Sequence, residues 1–494
     1  MAAVDGFDVV VVGAGSAGCV VASRVAQSAS RAVLLVEAGP DLRGHVPDVL
    51  RDGWQIALGE RDWGYRSEPD IRGDAQNLSR GKLLGGTSWR TRFAPRGVAA
   101  DYDEWAALGN DGWGFTDVLP YFTRLETDVD FGEQPWHGDS GPIPVNRYLD
   151  LEPTEIAAAG LEALHEMGFP AVDDVNRPGA VGAGRMPTTS IGGRRVTTAD
   201  AYLGVVPSNL TIRCDTQVAE ILFEGSRAGG VRLIGGETVE APSVVLCAGV
   251  YGNPCILMRS GIGPPDHLRA LRIPVRCGLP GVGENLADHP AIKIGCGYRG
   301  PERARREFLD FTATWHSSGT PTDAPPDLMF WGADVADEGA FDIKAVLLKP
   351  RSRGRVQLRS ADPADPPVVE LPALSEQADL DRLAEAHHRA LEFAGHPQIR
   401  RHCGGDISAG PSGRADLLDW IREESWSLPH VVGTCAMGVR PEDGAVVDAD
   451  GRVHGAEGLS VIDASIMPSV PSGFTHLPTI MIAERLAESV ARTA

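Results

Sequence analysis

The sequence Phe7-Asp8-Val9-Val10-Val11-Val12-Gly13-Ala14-Gly15-Ser16-Ala17-Gly18 places an apolar strand directly before a glycine-rich turn. Each glycine has its own steric role in a dinucleotide-binding turn. Gly13 permits a tight bend, Gly15 lets the backbone approach a pyrophosphate, and Gly18 lets the next helix pack closely on the sheet. A second apolar strand follows as Val33-Leu34-Leu35-Val36-Glu37. Strand, turn, helix and strand in this order predict a dinucleotide site.

The helix after the turn, expected over about 17–27, would direct its N-terminal N–H groups at the diphosphate. Glu37 ends the second strand, 19 residues past Gly18, where its carboxylate can accept hydrogen bonds from a ribose diol and would repel a 2′-phosphate. NAD and FAD both use this half-fold in the same way, so the motif leaves the nucleotide open. The residues predicted to hold it are Gly13, Gly15, Ser16, Ala17, Gly18, Glu37 and Ala38.

Composition limits the class of protein. A chain of 494 residues is too long for one ordinary core and predicts two domains. The formal net charge of -21 argues against nucleic acid or an anionic membrane as a partner, because both need a basic surface. None of the eight cysteines forms a Cys-x-x-Cys pair, so neither a disulfide nor a metal site is predicted. The N-terminus leaves no room for a signal peptide and no apolar run could span a bilayer, so a cytoplasmic protein is expected.

Two further glycine-containing stretches suit a cofactor site. The stretch Arg80-Gly81-Lys82-Leu83-Leu84-Gly85-Gly86-Thr87-Ser88 brings a second glycine pair, preceded by cations and followed by hydroxyls, which suits another loop close to phosphate. Later, Ser243-Val244-Val245-Leu246-Cys247-Ala248-Gly249 predicts a buried strand that ends at a glycine and leads into a short helix.

With these motifs the chain resembles the glucose-methanol-choline (GMC) family of FAD-dependent oxidoreductases. The family's first signature is similar to Arg80–Gly97, its second to Gly249–Pro264, and its C-terminal pattern to His430–Gly438. Further family-like stretches are 101–105, 137–142, 281–286, 452–455 and 463–465. The resemblance spans nearly the whole chain, and it implies FAD as the cofactor and a small-molecule alcohol as the substrate.

The same resemblance implies further cofactor contacts. Asp463 and Ala464 would contact the ribityl and phosphate region. A helix through 479–484 is predicted to begin at Pro478, and its positive end would stabilise the anionic reduced flavin. The backbone N–H groups near His476 and Leu477 are the candidate donors. The other expected contacts are Arg80, Gly85, Gly86, Ser88, Thr91, Val218, Ala248 and Gly249.

His430 matches the family's catalytic histidine, so it is predicted to be the base that takes the hydroxyl proton, a task that suits the pKa of histidine. The family's second catalytic position, usually His or Asn, falls 44 residues later on Phe474, which cannot exchange a proton. His476 could supply the missing polar group, since positions two apart in an extended segment point the same way. His430 and His476 are therefore the predicted catalytic residues.

The flavin loop also departs from the family pattern. Arg90 stands where some members carry a histidine bound covalently to the flavin, so FAD is expected to be non-covalent, and Thr91 stands where the family has asparagine. Arg90 and Arg92 could recognise a carboxylate, a phosphate or sugar hydroxyls, or they could pair with nearby acids or the cofactor phosphate. The candidate substrate-pocket residues are Arg90, Arg92, Phe330, Trp331, Trp426 and Phe474.

Motif order predicts an α/β fold with two domains. The first is a Rossmann-like FAD-binding domain with a doubly wound sheet, built from 1–150, 195–290 and 428–494. The second is an α+β substrate-binding domain on an antiparallel sheet, built from 151–194 and 291–427. In that domain, strands are expected at 327–331, 345–348 and 355–358, a helix at 380–392, and a surface segment at 301–326.

Three functions are compatible with the sequence: alcohol oxidation by hydride transfer to FAD, non-redox chemistry of the lyase or decarboxylase type on a retained flavin scaffold, and flavin binding without turnover. The alcohol could be a sugar, an oxygenated metabolite or an aromatic alcohol, and the electron acceptor could be O2 or another oxidant. The oligomeric state is left open.

Overall fold

A parallel sheet lies at the centre of the first half of the fold. In a computed structural model of the chain, the described residues are 6–28, 30–53, 58–69, 73–298, 311–335, 340–372, 374–405, 407, 410–411 and 413–493. Within them the sheet has five strands, in the order Leu459–Val461, Ser243–Leu246, Val9–Val12, Val33–Val36 and Leu210–Arg213. Val9–Val12 is buried at the centre, as expected for a run of β-branched residues covered on both faces.

Two helices from opposite ends of the chain meet beside the glycine-rich turn. Helix Gly18–Val25 begins at the last glycine of the motif and buries every side chain except Arg24. It packs against the C-terminal helix His476–Thr493, and Arg24 forms an ion pair of 2.7 Å with Glu484 of that helix. This packing brings the start of the C-terminal helix close to the glycine-rich turn.

An antiparallel sheet forms the second half. In the described part of the chain it has seven strands: Cys403–Gly404, Pro290–Tyr298, Ala340–Leu347, Leu328–Val335, Phe311–Trp315 and Ala183–Arg185 in that order, with Trp426–Ser427 also paired to Pro290–Tyr298. Helix Gln377–Gly395 covers one face. The other face carries Met329, Trp331 and Val346 toward the first half of the molecule.

The predicted fold class is confirmed: the chain has an α/β fold with a parallel sheet and a separate antiparallel sheet. The strands expected near 327–331 and 345–348 are Leu328–Val335 and Ala340–Leu347, and the expected helix near 380–392 is Gln377–Gly395. The domain boundaries stay a prediction.

Two expectations about the second half are wrong. Arg355–Gln357 is a strand, but it pairs with Val368–Glu370 in a separate two-stranded ribbon rather than joining the large sheet. In the expected surface segment, residues 301–310 lie outside the described residues, whereas Phe311–Trp315 is a strand of the large sheet. Phe311 packs in the core beneath helix Gln377–Gly395, so its apolar ring outweighs the polar composition of its neighbours.

The remaining elements connect these layers. The other α-helices are Asp48–Arg51, Ala99–Ala107, Phe115–Leu125, Glu155–Glu166, Thr198–Leu203, Gly249–Arg259, Pro265–Ala270, Pro397–Arg400 and Arg414–Glu424. The other strands are Glu126–Asp128, Ile143–Val145, Ser190–Ile191, Arg194–Arg195, Val218–Glu224, Arg227–Leu233, Thr238–Glu240, Ile262–Gly263 and Cys277–Gly278. Among the described helices, none combines the length and apolar character needed to cross a bilayer.

Candidate active site

A cavity of about 830 Å³ lies where the parallel sheet meets the antiparallel sheet. The parallel sheet contributes Val12, Val36, Cys247 and Asp463, which lie at or just beyond the carboxyl ends of four strands. The antiparallel sheet contributes Trp331 and Lys344. Ligands of open α/β sheets bind at the carboxyl ends of the strands, so this cavity is the candidate active site.

The structure brings most of the predicted residues to this cavity. Of the predicted cofactor residues, the lining includes Gly13, Gly15, Ser16, Ala17, Glu37, Ala38, Arg80, Gly86, Thr91, Val218, Ala248, Gly249, Asp463, Ala464 and His476. Of the other predicted residues it includes His430, Arg90, Arg92, Trp331, Trp426 and Phe474. The predicted residues outside the lining are Gly18, Gly85, Ser88, Leu477, Pro478 and Phe330.

Phe330 faces away from the cavity, so its assignment to the substrate pocket is wrong. Successive residues of a strand point to opposite faces of the sheet. Trp331 therefore reaches the cavity, whereas the Phe330 ring packs against Trp315 and Phe169, with centroid distances of 4.5 and 6.0 Å, in the core beneath the sheet.

The three glycines of the first motif have different surroundings. Gly13 has φ of +93°, and a Cβ there would lie 2.6 Å from the Cys247 carbonyl oxygen. A Cβ on Gly18 would lie 1.8 Å from the Gly13 carbonyl oxygen, so Gly18 serves helix packing behind the cavity. A Cβ on Gly15 would meet no protein atom within 4 Å, and Gly15 lines the cavity. The space above Gly15 is therefore available to a ligand.

The second glycine pair touches the first motif. Gly86 has φ of +52°, and a Cβ on it would lie 2.6 Å from Gly15 Cα, so only glycine allows the two loops to approach. Gly85 N donates to Ala14 O at 2.8 Å. Ser88 is buried behind the loop, where its hydroxyl donates to Gly85 O. Gly85 and Ser88 thus hold the loop in place from outside the cavity.

Glu37 lies beside the glycine-rich turn, at the end of the cavity that we call the nucleotide end because the dinucleotide is predicted there. Its Oε2 accepts a hydrogen bond from Ala14 N and its Oε1 accepts one from Gly39 N, each at 2.9 Å. Burial raises the pKa of this carboxyl to about 7, and the two backbone donors oppose that rise. Glu37 lines the cavity, and a carboxylate has further lone pairs that can accept from the ribose diol predicted there.

Asp463 is held by four donors, and one of its partners was missed in the sequence analysis. Asp463 accepts from Gly249 N at 2.8 Å, from the Asn253 side chain at 2.8 Å, and from both N and Oγ of Ser465. Asn253 also accepts from Ala248 N at 2.8 Å. Asn253 therefore joins the Ala248–Gly249 turn to Asp463, and its place early in helix Gly249–Arg259 was the available signal.

The opposite end of the cavity surrounds His430 with aromatic rings. The Phe474 ring lies 4.2 Å from the His430 ring, centroid to centroid. Phe93, which was not predicted, has its ring 5.9 Å from Phe474 and 4.8 Å from Trp331. Leu428 belongs to the same apolar cluster. The position beside His430 where the family pattern has a polar group is thus occupied by an apolar wall.

His430 is a neutral imidazole in this setting. Burial lowers its pKa well below 6.5, and the neighbouring His289, Arg80 and Arg90 lower that pKa further. His289 was missed in the sequence analysis, although it follows the 281–286 motif closely. Its Nδ1 lies 3.1 Å from His430 Nδ1. A neutral histidine can accept a proton, as the predicted base must.

His476 lies at the nucleotide end rather than beside His430. Its Nδ1 is 3.3 Å from Ser16 Oγ in the first glycine-rich turn. Its Nε2 is buried and has no hydrogen-bond partner among the described residues, and burial lowers the pKa of the ring to about 4. This position beside Ser16 does not support the hypothesis that His476 replaces the polar group missing at Phe474, which stays a prediction.

The two arginines of the flavin loop differ in their surroundings. Arg92 lies with its guanidinium 4.1 Å from the centre of the Phe93 ring, toward the His430 end. Arg90 has a buried Nε that no described residue bonds. Burial lowers the pKa of Arg90, and the neighbouring charge of Arg80 lowers it further. Arg90 is therefore a half-buried cation on the cavity wall.

A separate buried cluster lies outside the cavity. Glu126, Asp128 and His137 bring possible metal-ligand atoms within 4.8 Å of one another. Arg147 lies 2.8 Å from Asp128, and Arg96 lies 3.2 Å from Glu126. Because each carboxylate of the cluster already pairs with a guanidinium group, the cluster has the composition of an ion-pair network.

Comparisons with known proteins agree with this geometry. The GMC oxidoreductase family models match residues 7–291 and 350–483. A 5-(hydroxymethyl)furfural oxidase from Methylovorus sp. (strain MP688) is 35% identical to this chain, and the match covers 99% of each protein. An oxygen-dependent choline dehydrogenase from Pectobacterium carotovorum subsp. carotovorum (strain PC1) is also 35% identical, and that match covers 98% of this chain and 95% of the relative. Among solved structures, pyridoxine 4-oxidase from Mesorbium loti superposes with a TM-score of 0.91 at 29% identity, covering 99% of this chain and 100% of that one. The chain therefore belongs to the GMC oxidoreductase family, whose members bind FAD.

Proposed function

We propose that the protein oxidises an alcohol to a carbonyl compound. A hydride leaves the carbinol carbon for N5 of the FAD flavin, and His430 accepts the proton of the hydroxyl group, so the alcohol loses two electrons and two hydrogens. The observation that carries this proposal is the placement of a neutral His430 on the same cavity as the glycine-rich turn. A base for the hydroxyl proton and a site for the hydride acceptor are the two requirements of the reaction.

The cavity fits a non-covalently held FAD. The open space above Gly15 suits a pyrophosphate, and the unpaired Nε2 of His476 needs a hydrogen-bond partner that a cofactor oxygen would provide. Arg90 has no nucleophilic atom suited to a stable bond with the flavin, which supports non-covalent binding. Once bound, FAD supplies the hydride acceptor.

The wall around His430 favours a flat aromatic alcohol. Phe93, Trp331 and Phe474 contact one another in edge-to-face geometry, with centroid distances of 4.8 to 6.0 Å. Such rings stabilise another aromatic ring, whereas they leave sugar hydroxyls without partners. A relative named for 5-(hydroxymethyl)furfural supports the same choice. We therefore propose a benzylic or furfuryl alcohol, rather than a sugar, as the preferred substrate.

The test is anaerobic mixing of the purified flavoprotein with sugars, aliphatic alcohols and aromatic alcohols while the oxidised-flavin absorbance is recorded. Aromatic alcohols should bleach the flavin fastest. Readmission of air then distinguishes O2 from another acceptor, because only an oxidase recovers its absorbance promptly. If no alcohol bleaches a fully loaded flavin, the proposal is wrong.

One observation favours the second candidate function, non-redox chemistry of the lyase or decarboxylase type. Phe474 removes the second polar group beside His430, and a single histidine is also sufficient for proton abstraction in a lyase reaction. Product formation without flavin bleaching would favour that alternative. Flavin binding with neither product nor bleaching would favour a role in binding alone.

A further inference from the structure

A chain of two hydrogen bonds joins the His430 ring, through His289, to the backbone of Pro471. The carbonyl oxygen of Pro471 lies 3.1 Å from His289 Nε2, and His289 Nδ1 lies 3.1 Å from His430 Nδ1. A carbonyl oxygen can only accept, so the proton of this first hydrogen bond sits on His289 Nε2.

The protonation of His289 determines the direction of the second hydrogen bond. Burial lowers the pKa of His289 to about 3, although the carbonyl oxygens of Pro471 and Leu348 oppose that change. The ring therefore carries a single proton at neutral pH. Since that proton is on Nε2, Nδ1 has a free lone pair and can only accept from His430.

We propose that His289 is a positioning residue that fixes the tautomer of His430: the proton of His430 is held on Nδ1, and its Nε2 is the atom that accepts the substrate proton. This inference rests on the proposed function of His430 as the base. His430 lines the cavity, and its Nε2 has no hydrogen-bond partner among the described residues and is not sealed by protein. The one free lone pair of the His430 ring is therefore on Nε2, and it faces the cavity in which the substrate is proposed to bind.

Hydrogen bonds hold together the backbone segments that carry the two rings. Asp288 accepts hydrogen bonds from both His289 N at 2.7 Å and His430 N at 3.0 Å. Ala287 and Val432 exchange two backbone hydrogen bonds, so the two loops run side by side. The turn that supplies Pro471 is held by Asp101, which accepts from Ser472 N at 2.9 Å. The chain of hydrogen bonds from Pro471 to His430 is thus built into three connected segments.

Loss of the acceptor at His289 has a defined consequence. His430 Nδ1–H would be a buried donor without a partner, so the ring would populate the other tautomer, in which Nε2 carries the proton and cannot act as a base. We expect flavin reduction to slow by roughly ten- to a hundredfold, the range for a buried hydrogen-bonding group that loses its partner.

The test uses two variants with opposite properties. His289→Leu keeps most of the volume but removes the acceptor, whereas His289→Asn places an amide oxygen near the former Nδ1. Anaerobic flavin reduction at saturating benzyl alcohol or 5-(hydroxymethyl)furfural should be slow in H289L and largely restored in H289N. A purely structural role would give the reverse order, because Leu fills the site better than Asn, and that order would overturn the proposal.

A second readout needs no turnover. In ¹⁵N-histidine-labelled holoenzyme, the shifts of His430, assigned by their loss in His430→Gln, should report a protonated Nδ1 and a bare Nε2. A protonated Nε2 in the wild-type protein would overturn the proposal even if H289L failed to fold. If the wild-type tautomer is as stated but no alcohol reduces the flavin, the proposed function and the role of His430 Nε2 as base fail, whereas the tautomer set by His289 stands.

Discussion

The two ends of the cavity are built in different ways. At the nucleotide end, Gly13, Gly15 and Gly86 shape the surface by lacking side chains, and the nearby polar contacts are largely to backbone N–H groups. At the other end, the surface consists of side chains from segments far apart in sequence, such as Phe93, Trp331 and His430. The comparison indicates that substitutions at the first end should change how much FAD is bound, whereas substitutions at the second should change the rate.

The largest expected effect is at the His430 end. His430→Ala should lower the rate constant of anaerobic flavin reduction by ~10²–10⁴, the usual contribution of an acid–base group, and should leave the flavin content unchanged. A matched control is His454→Ala, because His454 bonds Gly438 O outside the cavity and should leave the rate unaltered. A fall of less than about tenfold in the His430 variant would show that another group is the base.

At the nucleotide end, Gly15→Val should weaken FAD binding without unfolding the chain. The new Cβ meets no protein atom within 4 Å, so the side chain would occupy the space assigned to the cofactor. We expect the flavin-to-protein absorbance ratio after dialysis to fall, with affinity reduced roughly tenfold or more, since about 1.4 kcal/mol corresponds to a factor of ten. Gly44→Val, at an exposed glycine with equally open space, is the control. Full flavin retention in the Gly15 variant would place the cofactor elsewhere.

A smaller effect is expected for the aromatic wall. Phe474→Leu keeps an apolar side chain but removes a ring, and aromatic pairs contribute about 0.5–1.5 kcal/mol beyond buried area. The efficiency of flavin reduction by benzyl alcohol should therefore fall roughly two- to twelvefold, while reduction by an aliphatic alcohol of similar size should change little. Equal losses with both alcohols would mean that the ring supports His430 rather than the substrate.

The same contrast explains what the sequence could predict. The glycine-rich turn and Glu37 are close in sequence and act through local steric rules, so their places were predicted from spacing. Phe93 and His289 act through tertiary contacts with Phe474 and His430, and no local pattern joins those positions. Their weaker signals were inclusion in the first signature stretch for Phe93 and an Asp-His-Pro sequence for His289.

His476 and Phe330 show two further limits of sequence reasoning. Two-residue periodicity suggested that His476 would face the same way as Phe474, but His476 begins a helix and turns toward Ser16. Phe330 and Trp331 are both large aromatic residues on one strand, and only the face that helix Gln377–Gly395 covers decides which of them is core. In both cases the direction of the side chain depended on packing that the local sequence does not contain.

The smallest expected effect tests the electrostatics that connect the two ends. Burial lowers the pKa of His430 most, and the nearby charges of Arg80 and Arg90 lower it further, so the base stays neutral as the pH falls through 6.5. Arg90→Gln removes one positive charge, so it should raise that pKa and move the acidic limb of the flavin-reduction profile upward by roughly half a unit to one unit. Arg90→Lys keeps the charge and should keep the limb in place. If both variants move the limb equally, hydrogen-bond geometry rather than charge connects Arg90 to the base; if neither moves it, burial and His289 alone hold His430 neutral.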